Sequence, residues 1–127
     1  MSKVKKAQLA QPNAAYSPYI ISGSTMYISG QLPIKGGVME AVSGGIKMQT
    51  LCVLENMEAL LKQEGLDRNN VIQCRAYLTD ISLWDDFNEV YCAFFSDHRP
   101  ARAVIPVSPL LFYCNIELEA IAELPGN

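Results

Sequence analysis

Two segments of the chain alternate apolar and polar side chains with a period of two. In VIQCRAYL, residues 71–78, one side carries Ile72, Cys74, Ala76 and Leu78. In NIELEAIAE, residues 115–123, one side carries Ile116, Leu118, Ala120 and Ala122. Successive side chains of a strand point to opposite faces of a sheet, so this period predicts two strands with one face against a core.

Apolar residues spaced three and four apart predict two helices. The first spans about 46–64, and Gly65 stands where a left-handed C-terminal cap belongs. The second follows SLWD, in which we expect Ser82 to cap the helix and Asp85 to take its third position. Asn88 lies on the apolar stripe of this helix, either as a packed amide with satisfied hydrogen bonds or as a brace for a loop at a site. The other members of the stripe are Trp84, Phe87, Tyr91, Phe94 and Phe95.

The remaining segments complete an α+β pattern. YIISG and TMYISGQL, joined at Gly23-Ser24, predict a hairpin, and RAVIPV predicts a strand after the second helix. PIKGGVMEAVSGG predicts a loop with a short extended piece. The order ββ(β)αβαββ, in which the bracketed strand is that piece, indicates a mixed six-stranded sheet with two helices on one face. The other face, with Tyr77, Ile121, Arg75 and Glu119, is too apolar for full solvation, and another copy of the chain could cover it.

Length and composition predict one domain over residues 1–127, with a loosely ordered N-terminal segment over 1–12. At 127 residues and 50% hydrophobic, the chain is long enough to bury a core. No apolar run reaches the length of a membrane span, and no apolar segment follows the N-terminal lysines as a secretory signal requires. We therefore expect a cytoplasmic protein, with a mitochondrial location as the alternative.

The four cysteines and the single histidine, His98, form no metal-binding pattern. The cysteines lie about twenty residues apart, with no CxxC pair among them, at Cys52, Cys74, Cys92 and Cys114. We expect reduced thiols packed as small apolar side chains, and no structural metal.

The charge distribution argues against a nucleic-acid partner. The net charge is −3 with ten basic residues, and Lys3, Lys5 and Lys6 are crowded into the N-terminal segment. Nucleic-acid-binding proteins usually carry a basic stripe, whereas the other basic residues here are scattered.

Arg102 stands at the start of a predicted apolar strand, in the stretch HRPARAVIPV. A half-buried guanidinium needs a planar anionic partner, because leaving it unpaired is unfavourable. Glu117 lies on the next strand along the chain, so the two residues form either a cross-strand ion pair or part of a site for a ligand carboxylate. His98 is expected to face solvent, and the chain has no GxSxG, P-loop or GxGxxG motif. Chemistry is therefore restricted to one carboxylate, one guanidinium, hydroxyls and backbone amides.

Several motifs resemble those of the RidA family, also called YjgF. AYSPYIISGSTMYISGQLP is similar to the N-terminal hairpin of that family, and the stretch from ENMEALLKQEG to EVYCAFF is similar to its central helix, strand and second helix. RPARAVIPV and NIELEAIA resemble its last two strands. The resemblance covers about residues 11–123, with the elements in the same order.

The resemblance implies a chorismate-mutase-like fold and a homotrimer. Its three sheets would pack as a central barrel, with clefts between subunits. Known members hydrolyse reactive enamines and imines, such as 2-aminoacrylate released by pyridoxal-phosphate-dependent dehydratases, to 2-keto acids and ammonia without a cofactor. By position, Arg102 matches the arginine that binds the substrate carboxylate, and Glu117 matches the glutamate that holds the hydrolytic water. Tyr16, Ser29 and Gly30 match residues lining the same cleft, and we add Val104 and Asn88 to the substrate-binding set.

The chain departs from the family pattern in three places. Ala14-Ala15 replace the usual Gly-Pro before Tyr16, Val104 replaces a cysteine of well-known members, and SPLLFYC replaces a segment with Leu-Pro. These departures put the substrate range in doubt more than the activity.

Three functions remain open at this point. The first is imine and enamine deamination, and the second is a trimer that binds small carboxylates without turnover, as a sensor or partner-binding protein. The third is the endoribonuclease or translation-inhibitor activity attributed to some family members. The scattered basic residues and the lone His98 make the third the weakest.

Overall fold

The computed structural model describes residues 4–7 and 15–126. These residues form six strands and two α-helices, joined in part by short 3₁₀ turns. The strands are β1 (Val4–Lys6), β2 (Tyr19–Ser22), β3 (Thr25–Gln31), β4 (Val71–Leu78), β5 (Ala101–Pro106) and β6 (Ile116–Glu123). The helices are α1 (Gly45–Gln63) and α2 (Trp84–Phe95).

The strands form one mixed sheet in the order β1-β2-β3-β6-β4-β5. β4 and β5 are parallel, and all other neighbouring pairs are antiparallel. The predicted mixed six-stranded sheet is confirmed, but its sixth strand is not in the glycine-rich loop, because residues 32–44 contain no strand. β1 supplies it instead, paired with β2 inside the segment that was expected to be loosely ordered. The rest of that segment, apart from Ala7, lies outside the described residues.

Both helices pack on one face of the sheet, as predicted. Alternate residues of β6 are buried there, namely Ile116, Leu118, Ala120 and Ala122. From α2, the buried side chains are Phe87, Tyr91, Phe94 and Phe95, while Trp84 is half-buried. These residues belong to one continuous hydrophobic core together with Val53, Leu54, Met57 and Leu61 of α1. The period of two in β6 and the helical spacing in α2 therefore predict their buried residues correctly.

The uncovered face of the sheet, called the open face below, carries a mixture of apolar and charged side chains. Its residues are Ile20, Tyr27, Arg75, Tyr77, Glu117, Glu119 and Ile121, by the pairing of the strands. Tyr27 is 49% exposed although its neighbours across the strands, Ile20 and Ile121, are apolar. In the single chain, this face thus carries exposed apolar side chains beside the charged ones, as the sequence predicts.

At the start of β4, a β-bulge changes which side chains face the core from those predicted. The register of β4 against β6 shifts between Val71 and Gln73, so one extra residue is inserted there. Val71 is consequently buried, and Ile72 is 46% exposed. The prediction that Ile72 faces the core is wrong, whereas Cys74, Ala76 and Leu78 are buried as expected.

The C-terminus of α1 and the N-terminus of α2 are stabilised by different capping interactions. Gly65 has φ of 72°, and its N–H donates to Lys62 O at 3.1 Å, which confirms the predicted C-terminal cap of α1. Ser82 does not cap α2. Asp80 instead accepts from Ser82 N at 2.9 Å and caps a 3₁₀ turn that leads into α2, because its carboxylate stands two residues earlier and is the stronger acceptor. Neither helix of the described residues is long and apolar enough to cross a membrane.

Arg68 ties α1 to α2. Its guanidinium donates to both carboxylate oxygens of Glu58 on α1, each at 2.7 Å, and to Phe94 O on α2 at 2.7 Å. It also lies 3.8 Å from the centroid of the Phe94 ring. The hydrogen bond from Arg68 lowers the pKa of Glu58. These contacts fix the position of α2 over the sheet.

The cysteines are free thiols, as expected, but they do not all pack in the interior. Cys52, Cys74 and Cys114 are buried, and burial raises the pKa of the Cys74 thiol to about 11. Cys92 is exposed on α2, so the prediction that it packs as a small apolar side chain is wrong. Its helical position is one residue beyond Tyr91, which turns it away from the core stripe.

Replacing Phe87 with alanine should strongly destabilise the protein. The side chain is fully buried, and truncation of a buried phenylalanine usually lowers the free energy of unfolding by about 3–5 kcal/mol. Urea denaturation at a fixed protein concentration measures the loss. Leu111→Ala is the control, since Leu111 is 64% exposed and its truncation should change stability by no more than about 0.5 kcal/mol. Equal effects of the two substitutions would contradict the assigned core.

Candidate functional site

A cavity of about 540 Å³ opens beside the β2–β3 hairpin and the open face. Tyr16 and Ser29 line it, as the resemblance implies, together with Lys6 and Glu119. Ser29 Oγ donates to Ser17 O at 2.7 Å, and Ser29 N donates to Pro18 O at 3.0 Å. These two bonds attach the segment that carries Tyr16 to β3, so Tyr16 is exposed at the cavity while its backbone is held in place.

Gly30 allows the carboxylate of Glu117 to lie directly against β3. The register of β3 against β6 shifts between Ile28 and Gln31, and Gly30 lies within this irregularity. A Cβ atom on Gly30 would be 2.3 Å from Glu117 Oε2, far inside van der Waals contact. Any larger residue would therefore displace the carboxylate.

Glu117 is a carboxylate in an environment that disfavours its charge. Burial raises its pKa, and the nearby negative charge of Glu119 raises it further. Glu119 in turn accepts a short hydrogen bond from the Tyr77 hydroxyl, which raises the pKa of Tyr77. A carboxylate with a raised pKa is a stronger base than that of an ordinary glutamate, so it accepts a proton more readily.

Arg102 lies on β5, the edge strand of the sheet, and its side chain contacts α2. Nη1 donates to Asn88 Oδ1 at 2.7 Å. The guanidinium carbon lies 4.8 Å from the ring centroid of Tyr91 and 5.1 Å from that of Trp84. Arg102 is nevertheless exposed, so a solvent-side ligand can reach it. Val104, two residues on, packs against the core from the same side of β5.

The site residues fall on opposite faces of the sheet within one chain. β4 lies between β5 and β6, with Arg102 paired to Cys74 and Glu117 paired to Tyr77. Cys74 faces the helices and Tyr77 the open face, so the two charged side chains diverge. The expectation that the two can meet across adjacent strands is wrong, and the cross-strand ion pair does not form within the chain.

Each face therefore carries one half of the predicted set. Tyr16 and Ser29 line the cavity beside the open face, Gly30 lies against Glu117 on the neighbouring strand, and Arg102, Asn88 and Val104 come together beside α2. Sequence reasoning assigned no role to Lys6 and Glu119, which line the cavity. The alternation of β6 already places Glu119 beside Glu117, whereas nothing in the sequence distinguishes Lys6 from its neighbouring lysine.

His98 is a structural residue. Its Nε2 lies 2.6 Å from Val71 O, and the ring is half-buried. A carbonyl oxygen can only accept, so Nε2 is the donor. The expectation that His98 faces solvent is therefore wrong, because this bond holds the ring against the start of β4. Within residues 4–7 and 15–126, no group of three His, Cys, Asp or Glu side chains is placed to hold a metal ion.

The substitution Glu119→Gln should lower the pKa of Glu117. It removes the nearby negative charge while leaving an oxygen that can accept from Tyr77, and burial of Glu117 is unchanged. A ¹³C NMR titration of the Glu117 side-chain carboxyl measures the shift. Glu123→Gln, at the far end of the same strand, should leave that pKa where it is. An unchanged titration in Glu119→Gln would show that the two carboxylates do not interact.

Comparisons with known proteins agree with this architecture. A family model described as Endoribonuclease L-PSP matches residues 6–124. A RutC family protein of Pyrococcus horikoshii is 42% identical over 112 residues, which are 88% of this chain and 89% of that protein. The 2-iminobutanoate/2-iminopropanoate deaminase of Homo sapiens is 36% identical over 107 residues, covering 84% of this chain and 78% of the human protein.

A solved structure gives the same result for the fold. The crystal structure of RidA from the Antarctic bacterium Psychrobacter superposes with a TM-score of 0.82 at 35% sequence identity, covering 90% of this chain and 92% of that one. The family match, the relatives and the shared fold lead to one conclusion. The chain belongs to the RidA family, also called the YjgF family.

Proposed function

We propose that the protein hydrolyses reactive imines and enamines of the 2-aminoacrylate type to 2-keto acids and ammonia. The human relative is named for this reaction on 2-iminobutanoate and 2-iminopropanoate. The single observation that carries the proposal is the pair of half-sites. One half-site offers the exposed guanidinium of Arg102, which is held by Asn88. The other offers the carboxyl group of Glu117, which has a raised pKa and lies against the backbone at Gly30.

The two half-sites act together only if different copies of the chain supply them. We propose a homotrimer in which the three sheets form a central barrel and the open faces are buried. Each cleft would then combine Arg102 of one subunit with Glu117, Tyr16, Ser29 and Gly30 of its neighbour. The apolar residues of the open face support this arrangement, since an isolated chain leaves them in water.

The chemistry follows from the two charged groups. The fork of Arg102 binds the planar carboxylate of the imino acid through two parallel hydrogen bonds and orients the imine carbon. Glu117 accepts a proton from a water molecule as the water oxygen adds to that carbon. The protonated Glu117 returns this proton to the imine nitrogen, which gives a carbinolamine. Glu117 then moves the proton of the carbinolamine hydroxyl to the nitrogen, so the C–N bond breaks, ammonia leaves and the carbonyl of the keto acid forms.

The reaction needs little beyond orientation and one proton carrier. The imine carbon is already electrophilic, so positioning of water and substrate supplies most of the acceleration. We therefore expect no cofactor and no nucleic-acid partner. We expect the substrate to come from pyridoxal-phosphate-dependent dehydratases, which release such enamines.

Substitutions of Arg102 and Glu117 test the proposed reaction. Arg102→Lys keeps the charge but loses the fork, so kcat/KM should fall by about ten- to a thousand-fold. Arg102→Ala should abolish measurable turnover while the protein stays folded, and Glu117→Gln should lower kcat more than it weakens keto-acid binding. Keto-acid release is measured with the imine generated in place by a serine or threonine dehydratase, and circular dichroism reports folding.

Two outcomes would contradict the proposed reaction. If the wild-type protein binds a 2-keto acid through Arg102 but does not speed keto-acid release, it is a carboxylate-binding protein without turnover. If Arg102→Ala unfolds the chain with activity per folded subunit unchanged, Arg102 is a structural residue.

Mixed oligomers test the intersubunit site. Sedimentation should give about three times the 14.0 kDa mass of the chain. Arg102→Ala alone should show no measurable turnover and Glu117→Gln alone should have a lowered kcat, but the two variants refolded together should be more active than the mean of the separate variants. Recovery is expected because some clefts then combine an intact Arg102 with an intact Glu117 from another subunit. A stable monomer, or mixtures with no more activity than the separate variants, would contradict the shared cleft.

A further inference from the structure

Asn88 is the polar exception on the aromatic stripe of α2, and its side chain contacts Arg102. Its Oδ1 accepts from Arg102 Nη1 at 2.7 Å. Arginine has only donors, so the oxygen of the Asn88 amide, and not its nitrogen, faces the guanidinium. The Cys92 Sγ lies 3.7 Å from the same oxygen, one helical turn on. Asn88 Oδ1 is therefore directed into the space that the guanidinium occupies.

Three rings of α2 surround the same guanidinium from the side of the core, and we call them the aromatic platform. The Arg102 Cζ lies 4.8 Å from the centroid of Tyr91, 5.1 Å from Trp84 and 5.8 Å from Phe87. Phe87 is fully buried and Tyr91 is 5% exposed, so neither ring can move aside without repacking the core. The platform attracts the cation but does not fix its rotation, because ring faces attract a cation without directional hydrogen bonds.

The hydrogen bond to Asn88 supplies the missing direction. A guanidinium can bind a carboxylate in parallel through its Nη1–Nη2 edge or through its Nε–Nη2 edge. Asn88 accepts from one of the two N–H groups of Nη1, and among the described residues no acceptor contacts Nε or Nη2. The Nε–Nη2 edge therefore keeps all of its donors for a ligand carboxylate, whereas the Nη1–Nη2 edge shares Nη1 with Asn88.

We propose that Asn88 is a positioning residue that selects the carboxylate-binding edge of Arg102, with the aromatic platform as its support. The proposal rests on the proposed function, in which Arg102 binds the substrate carboxylate. Asn88 acts through Arg102 and need not contact the substrate. It thereby determines where the imine carbon lies relative to the water held by Glu117.

The experiment compares Asn88→Ala and Asn88→Asp with Asp85→Asn, a control that changes an exposed residue of the same helix. In Asn88→Ala, KM and the dissociation constant of 2-ketobutyrate should each rise about ten-fold, because a hydrogen bond to a charged group is lost. In Asn88→Asp the new carboxylate pairs with Arg102 and competes with the ligand, so binding should weaken further. Asp85→Asn should behave as the wild type in both measurements.

A second measurement reads the guanidinium directly. In the wild type, ¹⁵N NMR should resolve separate Nη1 and Nη2 signals for Arg102, because the bond to Asn88 slows rotation about Cζ–Nε. In Asn88→Ala these signals should merge at the same temperature, while circular dichroism and thermal unfolding stay close to those of the wild type.

The two measurements separate the failure of this inference from the failure of the proposed function. Unchanged Nη signals in Asn88→Ala would overturn the positioning role whatever the activity. Merged signals with unchanged keto-acid binding would show that Asn88 holds Arg102 but does not direct carboxylate binding, which overturns the edge selection and leaves the proposed substrate site to the Arg102→Ala test. Equal losses in Asp85→Asn and Asn88→Ala would also overturn the inference, since they would reflect a general effect on α2.

Discussion

The alternation of side chains along strands governs what one copy of this chain can do. β4 separates β5 from β6, and the pairings of Arg102 with Cys74 and Glu117 with Tyr77 place the two charges on opposite faces. No rotamer change can bring them together, because the helices cover one face and the backbone lies between. A reaction that needs both groups on one substrate would therefore require a second copy, and the proposed activity would depend on assembly.

The electrostatics of the open face would also change in the proposed trimer. Glu117 and Glu119 are both on this face, and burial raises the pKa of Glu117 even in the single chain. A cation brought in by another copy would oppose that shift, whereas further burial of the face would add to it. In the proposed trimer, the pKa of Glu117 would be a balance between these two effects. Gly30 keeps the Glu117 carboxylate in this environment, because the absence of a Cβ atom lets the carboxylate lie against the backbone of β3.

Local patterns predict much of the fold, and the exceptions are non-local. The hairpin, both helices and the buried sides of β4 and β6 follow from periodicity, which depends only on neighbouring residues. The strand β1 is three residues long and looks like any polar tail, so only its pairing with β2 reveals it. The bulge at Ile72 is likewise a property of the register against β6. For the site, the sequence and the family resemblance name the residues, but only the strand order shows that Arg102 and Glu117 belong to different halves.

Arg102 lies on an edge strand, and its side chain is restrained mainly by contacts with α2. A side chain on an edge strand has a neighbouring strand on one side only, so the sheet restrains it less than it restrains a central residue. The aromatic platform and Asn88 of α2 provide that restraint, and Arg68 fixes α2 itself against α1. The carboxylate end of a substrate would accordingly be defined by α2 and β5 of one copy. Its side chain would meet the segment around Tyr16 of another, and Ala14-Ala15 just before Tyr16 depart from the usual Gly-Pro of the family pattern. In the proposed trimer, recognition of the carboxylate and selection of the side chain would be separate functions of separate subunits, so the second could change without loss of the first.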